Sequence, residues 1–224
     1  MGYYIDLKEI SIDEYKNILK STTFISSWKI LEKDIDKNLN LLKVNNVRNL
    51  DELLIALKDK EKIQRMTKIT GLSEAYLSVL KRVVNGYRQK PNRIRDFSCI
   101  DEDTAKRLED IGIKNTLQLY AEVETQSKRR VLSKTTGIHA SVILTLTKLA
   151  DLSRIRWVNH TFAYVLLESG YDTAEKIADA DYKKLYITVK RLNQERKIYK
   201  ASIGERDMEM IIDSAKGLSA DIEY

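Results

Sequence analysis

The sequence predicts an all-α fold, and composition and apolar spacing both point to it. The 224 residues include one proline and eight glycines, and Leu, Ile, Lys and Glu are abundant, a composition that favours helices over strands. Apolar residues recur every three or four positions, as in Leu77, Leu80 and Val84, which is the period of a helix face. No alternating apolar and polar runs flank an Asn-Gly or Asp-Gly turn. We therefore expect roughly a dozen short helices.

The first helix is predicted to begin after Ser11. Ser11 and Glu14 have the spacing of a capping box, in which a hydroxyl and a carboxylate each bond to a backbone N–H group. Asp172 and Glu175 have the same spacing, and we expect a second capping box there.

Two stretches 66 residues apart are nearly the same, Lys68–Ser73 (KITGLS) and Lys134–His139 (KTTGIH). In each, a helical segment ends at Thr-Gly and a new one starts after a single aliphatic residue, which is how a short hairpin joins two helices. The similarity extends upstream, because Leu42, Val47 and Asn49 recur at the same offset as Leu108, Ile113 and Asn115. We interpret this as an internal duplication.

A third, shorter copy follows 58 residues after the second. Gly112–Asn115 is echoed by Gly170–Thr173, and the first copy has Asn46–Asn49 at this place. Asn or Gly in the leading position suits the left-handed end of a helix, and Asn or Thr three residues later suits the next N-cap. Each copy is thus expected to end one helix and begin another.

The only proline, Pro91, lies between the first and second copies. Proline cannot occupy the centre of a helix, so the segment Gly86–Asn92 ends a helical run. We predict two domains, 1–88 with the first hairpin copy and 89–224 with the second and third. A further loop is expected from Arg196 to Gly204, before a closing helix that ends near Lys216.

Positive charge is concentrated in the middle of the chain. Of 39 basic and 33 acidic side chains, residues 67–134 carry 14 and 9 and so supply +5 of the net +6. Six basic residues follow one another there with no acid between them: Lys81, Arg82, Arg88, Lys90, Arg93 and Arg95. On one face they would attract a polyanion. The alternative is a solvated helix end and linker.

The two Thr-Gly hairpins are candidate phosphate sites. A hairpin of this kind can direct backbone N–H groups at the start of its second helix toward a phosphate oxygen, and the helix dipole assists. Gly71 and Gly137 allow a close approach, and Ser73 and His139 can cap or donate. Basic residues precede both turns: Arg65 and Lys68, then Lys128, Arg129, Arg130 and Lys134. The alternative is that each glycine only ends its helix.

Two further hairpins lack glycine, Cys99–Asp101 and Trp157–Asn159. Asp101 and Asn159 are expected N-caps. The Asp101 carboxylate would occupy the N–H groups and repel phosphate, so the first hairpin is expected to be structural. At the second, neutral Asn159 with Arg154 and Arg156 leaves contact with a backbone or a protein partner open.

Aromatic residues offer a second kind of contact with nucleic acid. Trp157 and the tyrosines Tyr182, Tyr186 and Tyr199 could stack on bases among neighbouring lysines. The alternative is that helix-spaced tyrosines belong to the core.

The chain resembles an uncharacterised bacterial family of tandem helix-hairpin-helix proteins, a domain of unknown function. The resemblance rests on Leu149–Ile155, Ser169–Thr173, Lys90-Pro91 with Asp96-Phe97, and Ala215-Lys216. It implies tandem helix-hairpin-helix repeats. In that superfamily such units commonly bind DNA without reading its sequence, although many copies serve only as packing or docking elements.

Several function classes lack a sequence signal. The single cysteine, Cys99, excludes an intramolecular disulfide and a cysteine-based zinc site, and His139 and His160 have no evident metal or triad partner. No nucleotide-binding glycine pattern and no long apolar run occurs. We expect a cytoplasmic, non-enzymatic protein without cofactor, metal or membrane contact.

The sequence favours a module that contacts a nucleic-acid backbone, DNA included, without sequence preference. The candidate contact residues are Gly71, Ser73, Lys81, Arg82, Arg88, Lys90, Arg93, Arg95, Gly137 and His139. The alternative is a protein-protein scaffold in which the hairpins serve only packing. The sequence leaves the oligomeric state open.

Overall fold

The computed structural model describes residues 2–22 and 24–224. Within these ranges the chain forms thirteen α-helices, two short 3-10 helices and two isolated β-bridges. The all-α prediction of roughly a dozen short helices is confirmed. The chain divides into two compact units, one from Asp6 to Arg88 and one from Gln89 to Tyr224 that also includes the N-terminal segment up to Ile5.

The first unit contains five α-helices around one core. They are α1 (Ile12–Ser21), α2 (Ile35–Val44), α3 (Leu50–Ala56), α4 (Lys60–Thr70) and α5 (Glu74–Asn85), with a 3-10 helix over Ser26–Leu31. Residues three or four apart on each helix face this core; Leu39 and Leu42 of α2 and Leu77 and Leu80 of α5 are fully buried there. Burial of such side chains stabilises the fold by about 1.5–3 kcal/mol each.

The second unit contains eight α-helices and a 3-10 helix over Ile94–Asp96. The α-helices are α6 (Glu102–Asp110), α7 (Thr116–Val123), α8 (Gln126–Thr136), α9 (Ala140–Leu152), α10 (His160–Glu168), α11 (Ala174–Ala178), α12 (Tyr182–Arg196) and α13 (Glu205–Lys216). Helix α9 lies between two apolar clusters. Ile143 and Leu146 pack with α6–α8, whereas Leu149 and Leu152 pack with α10–α13. Nearly all of α9 beyond its first turn is therefore held in place by packing.

The helix boundaries follow the spacing of the matched sequence segments. Helices α3, α4 and α5 begin 66 residues before α7, α8 and α9, and α10 and α11 begin 58 residues after α6 and α7. Asn46, Gly112 and Gly170 are all left-handed, with φ of 64°, 89° and 86°. After each of them an N–H returns to the helix; for example, Ile113 N–H donates to Leu108 O at 2.9 Å.

The start of the second helix in each copy is tied to an upstream segment. The Leu50 N–H donates to Ile10 O at 3.1 Å, and the Thr116 N–H donates to Asn92 O at 2.9 Å. In the third copy a carboxylate replaces the carbonyl, because Ala174 N–H donates to Asp151 Oδ2 at 2.8 Å. Asp151 is therefore an acidic residue that lies inside the second unit.

The buried Asp151 is paired with Arg154, and both residues are 4% exposed. Arg154 Nη1 lies 2.8 Å from Asp151 Oδ1, and its other donors reach Tyr3 O at 3.3 Å and Ser219 O at 2.9 Å. The Tyr224 hydroxyl donates to Asp151 Oδ2 at 2.9 Å. The pair therefore binds both terminal segments of this unit through satisfied hydrogen bonds.

One of the two capping-box predictions is confirmed and the other is wrong. Ser11 N–H donates to Glu14 Oε2 at 2.8 Å, and Glu14 N–H donates to Ser11 Oγ at 3.1 Å. At α11 the cap is Thr173, which accepts the Lys176 N–H at 3.1 Å. Asp172 instead contacts the ammonium groups of Lys148 and Lys176. Burial raises the pKa of Asp172, but the two lysines outweigh it and the net shift is downward.

Over the described ranges, no helix combines the length and the apolar content that a membrane span requires.

Candidate nucleic-acid interface

The Gly137 hairpin joins α8 to α9 through a left-handed glycine. Gly137 has φ of 69°, and its N–H donates to Ser133 O at 2.9 Å. The Thr136 hydroxyl donates to Leu132 O at 2.7 Å, which satisfies a further carbonyl at the helix end. Ile138 is 4% exposed and fixes the turn to the core, whereas Gly137 and His139 are exposed. The turn is thus rigid and its outer side is open.

The Gly71 hairpin between α4 and α5 has the same geometry. Gly71 has φ of 73°, its N–H donates to Thr67 O at 2.9 Å, and the Thr70 hydroxyl donates to Met66 O at 2.6 Å. Leu72 is 7% exposed and occupies the position of Ile138. Both glycines are therefore helix C-caps, and any difference in binding must come from neighbouring side chains.

Ser73 and His139 both cap the following helix. The Ser73 hydroxyl accepts the Tyr76 N–H at 3.2 Å, and His139 Nδ1 accepts the Ser141 N–H at 3.3 Å. The backbone N–H groups of His139 and Ala140 make no hydrogen bond with any residue that the structure describes. Those two donors are the ones that an oxyanion could use.

The two hairpins differ in charge at the first residue of the second helix. Helix α5 begins with Glu74, whereas α9 begins with Ala140 and has no acid in its first turn. A carboxylate at this position interacts favourably with the helix dipole and repels an incoming phosphate. Of these two hairpins, only the Gly137 hairpin therefore presents its helix start without a competing anion.

Arg107 of α6 lies against the Gly137 turn. Its Nη1 is 3.2 Å from the position that a Cβ on Gly137 would take, and it lies 3.5 Å from Thr136 O. Arg107 Nε also pairs with Asp103 at 2.7 Å, but both side chains are well exposed and such a pair is weak. The position 66 residues earlier is Leu41. The guanidinium is therefore a feature of the second hairpin alone.

The basic residues that precede Gly137 have different roles. Arg129 is buried, and it donates to Val123 O at 2.8 Å and to Glu223 O. Lys128 pairs with Glu124, whereas Lys134 is exposed and has no ion pair among the described residues. Arg130, which donates to Gln126 Oε1 at 3.2 Å, is also exposed without an ion pair among the described residues, so Lys134 and Arg130 are the cations of α8 that can meet a ligand.

A comparison with protein families identifies a domain in the second unit. Residues 98–218 match the model of a family described as a domain of unknown function, DUF4332. The chain belongs to the DUF4332 family. The match confirms that the chain carries an uncharacterised domain, and the matched range contains the Gly137 hairpin but not the Gly71 hairpin. No curated protein and no solved structure matches the chain.

The six consecutive cations divide between the two units, and four of them have partners. Lys81 and Arg82 donate to Lys58 O and Ser27 O, Arg88 pairs with Asp51, and Arg95 forms two hydrogen bonds with Glu109. Lys90 and Arg93 are exposed, at the start of the unit that carries the DUF4332 region, and have no ion pair within the described ranges. Lys90 and Arg93 are therefore the two cations of this run that a ligand can contact without competing with an ion pair.

The Cys99–Asp101 hairpin opens the DUF4332 region, and Asp101 caps α6 as predicted. Asp101 Oδ1 accepts the Thr104 N–H at 2.7 Å, and Oδ2 accepts the Thr104 hydroxyl at 2.9 Å. These bonds lower the pKa of Asp101, because they stabilise its carboxylate. Burial raises the pKa of the Cys99 thiol.

The third hairpin of the DUF4332 region joins α9 to α10. Trp157 is left-handed with φ of 69°, Val158 is buried, and Asn159 Oδ1 accepts the Phe162 N–H at 2.9 Å. Of the two flanking arginines, Arg154 belongs to the buried pair with Asp151 and is removed from any external ligand. Arg156 lies with its guanidinium carbon 4.4 Å from the centre of the Trp157 ring.

Sequence reasoning did not predict two residues that lie at the Gly137 hairpin, Arg107 and Ala140. Their signal was present in the offset between copies, which aligns Arg107 with Leu41 and Ala140 with Glu74. These differences in charge between aligned positions distinguish the Gly137 hairpin from the Gly71 hairpin, although both turns have the same glycine.

Proposed function

We propose that this chain is a non-enzymatic helix-hairpin-helix module that contacts a nucleic-acid backbone without sequence preference. The observation that carries the proposal is the Gly137 hairpin, where an exposed left-handed glycine, the Arg107 guanidinium and an acid-free helix start lie together. The proposal includes a cytoplasmic location and a bacterial source, in line with the resemblance described for the sequence.

The chemistry of the turn suits a phosphodiester. The N–H groups of His139 and Ala140 can donate to one phosphate oxygen, and Arg107 and Lys134 add charge beside it. Contacts of this type read charge and backbone geometry, and they carry no information about the bases. Binding through this turn is therefore expected to be indifferent to sequence and sensitive to salt.

The N-terminal unit supports a second candidate function, contact with a protein. Its Gly71 hairpin carries Glu74 at the helix start, and Ile69 beside the turn is 50% exposed. The Glu74 carboxylate disfavours phosphate at this helix start, which favours a polypeptide as the partner of this unit. The protein-protein scaffold thus stands as the alternative for this unit.

A matched pair of variants tests the proposal. Lys134 and Lys68 occupy the same position before the two hairpins, so Lys134→Gln should weaken binding of a fluorescein-labelled duplex while Lys68→Gln should not. Fluorescence anisotropy measures both affinities. For two to three phosphate contacts, affinity should fall by about 10- to 40-fold between about 50 and 200 mM salt.

The same titration also shows which results would contradict the proposed backbone contact. Duplexes of unrelated sequence should bind with equal affinity. If neither DNA nor RNA shifts the anisotropy at low salt, or if Lys68→Gln is as harmful as Lys134→Gln, the Gly137 hairpin is not a backbone site.

A further inference from the structure

Trp157 is a large aromatic residue that is held partly exposed in an unfavourable backbone conformation. Its φ is 69°, and its residue surface is 40% exposed. A bulky residue with positive φ is rare, because Cβ crowds the backbone there. Such strained residues cluster at ligand-binding positions. The conformation displays the indole at the turn between α9 and α10.

The turn that carries Trp157 is fixed by hydrogen bonds from the linker at residues 89–92 and from α13. The Gln89 side chain accepts the Trp157 N–H at 3.4 Å and donates to Val158 O at 3.1 Å. Asn92 Nδ2 donates to Ser153 Oγ at 2.9 Å, and Arg156 N–H donates to Ser214 Oγ at 2.9 Å. The backbone of the turn is therefore positioned in advance, so a ligand need not order it on binding.

Basic residues flank Trp157 in the sequence and lie in the linker that holds its turn. The Arg156 guanidinium lies over one face of the ring, and the exposed Lys90 and Arg93 alternate with the two linker residues that hold the turn. Neither 89–95 nor 153–161 contains an acidic residue. An aromatic ring backed by arginine among cations is the combination that binds single-stranded nucleic acid, because bases stack on the ring while cations contact phosphates.

We propose that Trp157 is the stacking platform for one unpaired base of a nucleic acid. A base inside a blunt duplex is stacked on both faces and has none to offer, so the platform selects single strands. This inference rests on the proposed backbone contact. It adds a preference for unpaired nucleotides, which the Gly137 turn cannot supply.

The two contacts can be tested independently. They lie at opposite ends of α9, whose thirteen residues span about 20 Å at 1.5 Å per residue. An oligothymidylate of about 12 nucleotides spans that length, since each nucleotide advances about 3.4 Å along a strand. Its duplex with oligoadenylate provides the paired form of the same strand.

The first experiment observes Trp157 directly. The chain has two tryptophans, and Trp28→Phe leaves Trp157 as the only one, with the second unit unaltered. Addition of the oligothymidylate should quench its fluorescence, and the blunt duplex should leave it unchanged. Equal quenching by both forms, or no quenching while anisotropy reports binding of the single strand, overturns the inference.

The second experiment separates stacking from bulk. Trp157→Phe keeps an aromatic face, and Trp157→Leu keeps apolar volume without one; both retain a side chain at the left-handed position. We expect Trp157→Leu to bind the single strand about 5- to 150-fold more weakly, Trp157→Phe to retain most affinity, and both to bind the duplex as the parent does. Similar losses for both variants would overturn the stacking role.

The outcomes also distinguish the inference from the function on which it rests. If no oligonucleotide binds even at low salt, the backbone proposal fails and the inference fails with it. If both forms bind, Lys134→Gln weakens both, and no Trp157 variant changes single-strand affinity, only the inference fails.

Discussion

Substitution of Ala140 by glutamate should strengthen the fold and weaken binding at the same time. Ala140 is the exposed first residue of α9, and Glu74 already occupies the corresponding position of α5. A carboxylate at a helix N-terminus adds about 0.3–1 kcal/mol to stability. Because the native chain tolerates the same residue at the same place in the first hairpin, Ala140→Glu should fold.

The loss of affinity follows from charge repulsion. Two unit charges about 7 Å apart repel by about 0.6–2.4 kcal/mol for effective dielectric constants between about 80 and 20. We therefore expect about 3- to 60-fold weaker binding of a short duplex at low salt. The slope of log affinity against log salt should also become shallower by about one, if one phosphate contact is lost.

The assay combines thermal unfolding by circular dichroism with fluorescence anisotropy. Ala75→Glu, one residue into α5, makes the same chemical change at the hairpin that we do not expect to bind. It should leave affinity unchanged. If Ala140→Glu raises the melting temperature and binds as tightly as the parent, phosphate does not approach the start of α9, and the reasoning is refuted.

Four further substitutions test the fold that supports the site. Arg154→Met leaves Asp151 buried without its partner and should cost about 3–5 kcal/mol in urea unfolding; a loss under 1 kcal/mol would contradict that role. Gly137→Ala and Gly71→Ala should each cost about 1–2 kcal/mol from left-handed strain, but only Gly137→Ala should also weaken DNA binding. Asp172→Asn should cost about 1–2 kcal/mol at neutral pH. Since the folded pKa of Asp172 is lowered, this deficit should be full above about pH 4 and shrink as pH falls; a pH-independent deficit would exclude a charge effect.

The elements that sequence reasoning predicts well are those set by local backbone chemistry. The Thr-Gly steps end α4 and α8, and Asn159 caps α10, because these preferences depend on one or two residues and their own backbone. The spacing of 66 likewise anticipates the starts of α7 to α9. Local signals of this kind survive folding because distant contacts seldom offer a better partner for a helix end.

The features that escaped prediction depend on partners far along the chain. Arg88 meets Asp51, 37 residues away, and Lys148 reaches Asp172 across 24 residues. The second contact explains the missed cap, because an aspartate engaged by lysines leaves the capping role to Thr173. From the sequence alone, Arg154 is indistinguishable from a surface cation. The carbonyl groups that accept its hydrogen bonds lie in both terminal segments of its unit, far from it along the chain.

The buried pair of Asp151 and Arg154 also determines which residues a fragment of this unit should retain. A fragment cut at the family match, 98–218, would retain both charges and lose Tyr3, Ser219 and Tyr224, which satisfy them. It would also lose Gln89, which holds the Trp157 turn. The compact unit is therefore longer than the stretch that matches the family, and it combines the N-terminal segment up to Ile5 with residues 89–224, which are far apart in the sequence.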